Sequence, residues 1–325
     1  MINPAYDVAA VPAASPEALE FHRGLDGYAP SPLRDLGDGV WVKDESDRFG
    51  LPAFKVLGAS WAVERALRAD PSIHTLVAAS AGNHGRAVAH VAASRGLTCR
   101  VYLPARAVAA RREAIAGEGA EVVMVDGSYE EAVARAAADA AQDGWFELAD
   151  VGAAGPASWV IDGYATLFSE LPTDFSVALV PVGVGSLGAA AARWGAAAGV
   201  PVIAVEPDVA ACLTASLAAG EPTIVETPGT AMAGLDCAEV SEAAWPTLRP
   251  GILGTITVSD VQTRAAMREL AAAGLRIGDS GAATLAALHK LREDAELRAA
   301  VALDRVLLIA TEGPTDPAGY AAAVA

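Results

Sequence analysis

The chain has 325 residues, 53% of them hydrophobic and 19% charged, so it carries apolar material enough for one large or two medium packed domains. A formal net charge of −17 repels nucleic-acid phosphates and anionic membranes, and neither is expected as a partner. No apolar run has the length of a membrane span, the N-terminal segment lacks the basic-then-apolar order of a signal peptide, and Cys99, Cys212 and Cys237 fit neither a disulfide framework nor a zinc site, so a cytoplasmic location is expected.

Residues 1–38, rich in proline, alanine and glycine, read as an extended arm with short turns leading to a strand over 40–43. The stretch 42–62, VKDESDRFGLPAFKVLGASWA, has a charged, turn-prone first half. It then places a single lysine, Lys55, among Leu51, Ala53, Phe54, Val56 and Leu57 at the head of a helix predicted over 55–68. Such a lysine either snorkels to solvent, or is buried with a lowered pKa that leaves its amine a nucleophile and base.

Beyond it the pattern alternates. Strands are predicted over 73–79, 99–103, 121–125 and 146–149, with helices over 84–95, 107–116 and 128–143 between them. A second series has a helix over 159–170, a strand over 177–182, a helix ending near 198, strands over 202–205 and 252–258, helices over 260–273 and 280–292, and a last strand over 305–310. Strand–helix alternation at this spacing defines an α/β chain with parallel sheets covered on both faces. Two open lobes are expected, a large one from 1–76 plus 159–325 and a small one from 77–158, with strand ends facing a shared cleft.

Four turns at predicted strand ends carry chemistry-bearing residues. Gly183-Val184-Gly185-Ser186-Leu187-Gly188 follows a strand and opens a helix, where backbone N–H groups and a helix N-terminus favour a phosphate. Glu206, at the end of the next strand, keeps a dinucleotide reading open, and a tight turn without ligand is the remaining alternative. In Ser80-Ala81-Gly82-Asn83-His84-Gly85, Asn83 offers a donor and an acceptor suited to a ring hydroxyl, or serves as a helix cap. Thr311 presents a neutral hydroxyl past the last strand. Asp150 is an acid or base after a strand, or a solvated turn residue, and Asp279 is a helix cap or an acid near a ligand. An amine, a phosphate cradle, an asparagine and a terminal hydroxyl together suit pyridoxal 5'-phosphate.

The segments KDESDRFGLPAFKVLG (43–58), GNHGRAVA (82–89), SWVIDGYATL (158–167), AMAGLDC (231–237), GDSGAATLAAL (278–288) and ATEGPTD (310–316) carry a resemblance. In order and content the chain resembles the tryptophan-synthase-β-like, fold type II pyridoxal-phosphate enzymes, and within them the diaminopropionate ammonia-lyase group. The resemblance implies a homodimer acting on a small amino acid. It implies that Lys55 holds the cofactor covalently and acts as catalytic base. Asn83 would bond the cofactor's O3′, and Gly183, Val184, Gly185, Ser186 and Leu187 its phosphate. Thr311 would face the ring nitrogen, and a hydroxyl there favours elimination over transamination. Asp150 would assist the leaving group, and Ser80, Ala81, Gly82 and His84 would bind the substrate carboxylate. Cys212 and Cys237 match two cysteines that can pair in the family. Ala81 stands where the family has an aspartate that serves the D-isomer, which points to an L-substrate. The expected reaction is α,β-elimination of ammonia from L-2,3-diaminopropionate or a related β-substituted L-amino acid. The alternatives are a serine or threonine dehydratase (favoured by Ala81), a β-replacement synthase, an NAD-dependent oxidoreductase, and a non-catalytic amino-acid-binding protein.

Overall fold

Segments apolar at every position rather than every second one form strands buried on both faces, which is how parallel strands under two helical layers read. VALVP and VLLIA are of this kind, and every residue of both is buried. The computed structural model describes residues 1–105, 107–149, 152 and 155–325. The strands are β1 (Leu33–Gly37), β2 (Val40–Asp44), β3 (Thr75–Ala78), β4 (Thr98–Pro104), β5 (Glu121–Val125), β6 (Trp145–Glu147), β7 (Val177–Pro181), β8 (Val202–Pro207), β9 (Gly254–Val258) and β10 (Val306–Ala310). The first helices are α1 (Glu17–Arg23), α2 (Lys55–Ala69), α3 (Asn83–Ser94), α4 (Ala109–Gly117), α5 (Tyr129–Asp139), α6 (Pro156–Ser169) and α7 (Ser186–Ala198). The remainder are α8 (Cys212–Ala219), α9 (Trp245–Gly251), α10 (Asp260–Ala272), α11 (Asp279–Glu293), α12 (Ala295–Ala300) and α13 (Pro317–Val324).

A six-stranded sheet has the order β1-β2-β10-β7-β8-β9, and a four-stranded one the order β5-β4-β3-β6. All neighbours run parallel except the edge pair β1 and β2. Parallel strands end on one edge of their sheet. The C-terminal ends of β2, β10 and β7, adjacent in the large sheet, lead to Lys55, Thr311 and the glycine loop, and β3 leads to the Asn83 turn.

One expectation is corrected. Residues 1–38 are not simply extended: acids in the first turn (Glu17, Glu20) and bases in the last (His22, Arg23) suit the helix dipole of α1, and β1 adds an antiparallel edge. The charged, turn-prone run before Lys55 is largely buried. Lys43, Glu45 and Arg48 are buried at 1%, 0% and 2% exposure. Arg48 grips Glu45 through Nε (2.9 Å) and Nη2 (2.6 Å), and Glu170 through Nη1 (2.8 Å) and Nη2 (2.9 Å). Lys43 Nζ donates to Glu170 at 2.6 Å and to the Ser31 carbonyl at 2.8 Å. Two cations and two anions balance, which is the condition under which charges survive burial.

α2 and α6 cross at Gly58 and Gly163, where a Cβ on Gly163 would lie 2.5 Å from the Leu57 carbonyl oxygen. The same crossing buries His22, whose ring bonds Thr166 Oγ1 (2.7 Å), the Leu57 carbonyl (3.0 Å) and Ser60 Oγ (3.0 Å), and burial pushes its pKa down to about 4. The family-like segment 158–167 therefore serves the helix that seats Lys55.

Candidate active site

Lys55 is the first residue of α2 and is half-buried, its Nζ 5.5 Å from the Phe54 ring centre and 5.8 Å from that of Tyr164. Two aromatic faces favour a cation and wall it from water on those sides. The chain before it is laced to the end of β10. Glu45 N–H donates to the Ala310 carbonyl (2.9 Å), Gly313 N–H to Pro52 (3.0 Å) and Phe54 N–H to Thr311 (3.4 Å), and Ala53 bridges Glu312. These bonds fix the start of α2 against the Thr311 turn, so the amine and the hydroxyl occupy one edge.

Thr311 is 4% exposed and its Oγ1 has no hydrogen-bond partner among the described residues. A buried hydroxyl without a partner costs roughly 1–3 kcal/mol, so it marks a place for an acceptor or donor from a ligand.

The glycine loop leaves β7 beside β10. A Cβ on Gly183 would lie 2.9 Å from both Cys237 Sγ and the Gly234 carbonyl oxygen, and Gly185 has φ +101°, which few L side chains adopt. Ser241 N–H holds the Val184 carbonyl at 2.8 Å. α7 starts at Ser186 and receives no side-chain cap from Gly185, which suits an anion bound at its first N–H groups, Ser186 and Leu187 among them. Glu206 does not serve a ribose: it is fully buried, accepting Leu213 N–H (2.7 Å), Thr214 N–H (2.9 Å) and Thr214 Oγ1 (2.6 Å) at the head of α8. Burial raises its pKa to about 7 against those three bonds. The dinucleotide reading loses its acidic partner.

On the small sheet, α3 begins at Asn83. Ser80 Oγ accepts Gly82 N–H at 3.3 Å, and Ala81 and Gly82 form the accessible tip of the turn. His84 is 4% exposed, and its ring bonds the Leu148 carbonyl at 2.8 Å. Asn83 Nδ2 donates to Glu312 Oε2 at 2.5 Å, joining the two sheets. Glu312, unanticipated from sequence, also accepts Ser280 N–H on Oε1 at 3.3 Å, and burial raises its pKa above the usual carboxylate range. Its only signal in the sequence is its place after Thr311. Asp279 opens α11, and burial raises its pKa too. Asp150 lies outside the described residues. Cys212 and Cys237 lie at the Gly183 loop and form no disulfide, Cys212 Sγ being 3.6 Å from the Gly183 carbonyl.

A buried hydroxyl without a partner among the described residues, a glycine loop opening a helix with no side-chain cap, and an amine between rings fit a phosphorylated pyridine aldehyde. The fold and site define a pyridoxal-phosphate enzyme of fold type II, and the family model for pyridoxal-phosphate dependent enzymes matches residues 25–312; the chain belongs to that family. It is 33% identical to the diaminopropionate ammonia-lyase of Salmonella typhimurium, covering 94% of this chain and 90% of that one. It is 32% identical to the Escherichia coli enzyme of that name, over 93% of this chain and 89% of the other. The Escherichia coli structure described as a complex with an aminoacrylate-PLP azomethine reaction intermediate superposes with a TM-score of 0.88 at 29% identity, covering 100% of this chain and 96% of that one.

Proposed function

We propose that the protein is a pyridoxal-phosphate-dependent ammonia-lyase that eliminates ammonia from L-2,3-diaminopropionate, or a closely related β-substituted L-amino acid, to give pyruvate and ammonia. One observation carries the reading. The amine, the phosphate cradle and the partnerless Thr311 hydroxyl lie at adjacent strand ends of a chain similar nearly end to end to diaminopropionate ammonia-lyases.

Lys55 would hold the cofactor and would take the substrate's α-proton on Nζ. The N–H groups of residues 183–187 hold the phosphate, Asn83 meets the ring oxygen, and Thr311 Oγ1 meets the ring nitrogen. The Ser80–His84 turn receives the substrate carboxylate on backbone N–H groups and the Ser80 hydroxyl. When bound, the cofactor supplies the electron sink that stabilises negative charge at Cα. Phe54 and Tyr164 exclude water from two sides of the amine. Asp150 assists departure of the β-amino group. The four-stranded sheet (β3 to β6) and the six-stranded sheet (β1, β2 and β7 to β10) act as small and large domains, the division at 77–158 and 1–76 plus 159–325 running through β3 and the start of α6. The working form is a cytoplasmic homodimer. Among the described residues no helix is long and apolar enough to cross a membrane.

The test is a substrate panel scored for pyruvate and ammonia. L-2,3-diaminopropionate is expected to turn over well, and the D-isomer poorly, because Ala81 has no group to take its α-proton. Lys55→Ala is expected to abolish turnover and the near-visible absorbance of lysine-bound cofactor. Faster turnover of L-serine would assign the protein to the dehydratases. A coupled product on adding a thiol would assign it to the β-replacement synthases.

A further inference from the structure

Glu312 is 6% exposed, and its backbone is fixed by the bridge to Ala53 and by its carbonyl, which accepts Gly278 N–H at 2.9 Å. Its carboxyl group is met by Ser280, through side chain and main chain, and by Asn83, donors of different character. Ser280 N–H, on Oε1, belongs to the main chain of α11 and cannot reverse. Asn83 Nδ2, on Oε2, belongs to a side-chain amide that can turn over and exchange its nitrogen for its oxygen. When ionised, Glu312 accepts at both oxygens, and the observed bond then holds Asn83 with its nitrogen toward Glu312.

We propose that Glu312 is a positioning residue that fixes which way the Asn83 amide faces, and thereby which of its atoms meets the cofactor's ring oxygen. This rests on the role given to Asn83 above. Without the carboxylate the amide has two orientations, one of which sets its carbonyl oxygen against a ring oxygen that is negatively charged when ionised. Glu312 follows Thr311 directly, so one short segment supplies a group for the ring nitrogen and aligns the group for the ring oxygen from the other sheet.

Glu312→Gln tests this with little change of volume. Ser280 N–H can donate only to the glutamine oxygen, so the glutamine nitrogen faces Asn83 and the amide must turn over. The expected result is an apoprotein melting at or above the wild-type temperature. Its affinity for pyridoxal phosphate, measured by titration, falls about tenfold, the loss of one well-made hydrogen bond, and its near-visible band moves. In the Asn83→Ala background the same change is expected to do nothing more, because its path is gone. Unchanged affinity and band in Glu312→Gln, or a full additional loss in the double variant, would overturn the proposal. Glu312→Met, which removes both acceptors, is read in the same way should the glutamine variant not fold. A wild-type protein that carries no cofactor on Lys55 would instead overturn the proposed function, so the two failures are told apart.

Discussion

Thr311 carries a hydroxyl that the described residues leave without a partner, in a place where solvent does not reach it. The physical consequence has two opposite signs. Thr311→Val keeps the shape and removes the group, so the cofactor-free protein is expected to be unchanged or up to about 1–2 kcal/mol more stable in urea titrations, because an unmet polar group is gone. Cofactor affinity is expected to fall about tenfold, the equivalent of roughly 1.4 kcal/mol. A variant whose apoprotein is less stable by more than 1 kcal/mol (roughly the net worth of one hydrogen bond) would show that the hydroxyl serves the fold. Lys55, Thr311, Asn83 and the 183–188 loop were legible because each is a residue type out of keeping with its neighbours, set where a strand ends. Glu312 was not, because a glutamate between threonine and glycine looks like any solvated turn. The inward turn of the His84 ring was equally hidden, since it depends on the Leu148 carbonyl, far away in sequence.

At the scale of the element, the position of α2 is set by its contact with α6. A Cβ on Gly58 would meet Tyr164 Cε1 at 2.5 Å, Tyr164 Cζ at 2.8 Å and Val160 Cγ1 at 2.8 Å. Tyr164 is fully buried with its ring centre 4.7 Å from that of Phe54, so it has nowhere to retreat. Overpacking of this kind costs about 1–3 kcal/mol. Alanine's better helix propensity returns up to about 1 kcal/mol. Gly58→Ala is therefore expected to destabilise by about 1–2 kcal/mol in chemical denaturation. It is also expected to slow capture of the cofactor by Lys55, since the displaced rings are those that flank its amine. Equal stability together with an unaltered capture rate would show that the helices can separate without moving the rings. The α2 helix and the alternating strands could be read from periodicity, whereas α8, α9, α12 and α13 could not. Those are short, and α8 depends on Glu206 capping it through the bonds to Leu213 and Thr214.

At the scale of the whole molecule, the N-terminal arm is attached to the large sheet by charge as well as by apolar packing. Tyr28 Oη donates to Glu170 at 3.0 Å, Ser31 N–H to Glu170 at 3.1 Å, and the Ser31 hydroxyl to Glu45. Arg48 stands at the centre: beyond the two carboxylates it donates to the Ala29 carbonyl (3.0 Å) and Ser31 Oγ (3.0 Å). Burial alone would lower its pKa, but Glu45 and Glu170 raise it, so the guanidinium stays charged at any working pH. Removing it leaves two buried carboxylates facing Lys43 alone, and breaking a buried ion pair from one side typically costs about 3–5 kcal/mol. Arg48→Met is expected to show a loss of that size. Arg48→Lys, with three donors on a point charge instead of a fixed fork, is expected to recover only part of it. The loss should be nearly the same in low and high salt, because counterions do not reach a pair buried at 2% side-chain exposure. A loss below about 1 kcal/mol, or one that salt abolishes, is the signature of an exposed pair, and would mean that apolar contacts alone hold the arm that leads into the Lys55 segment.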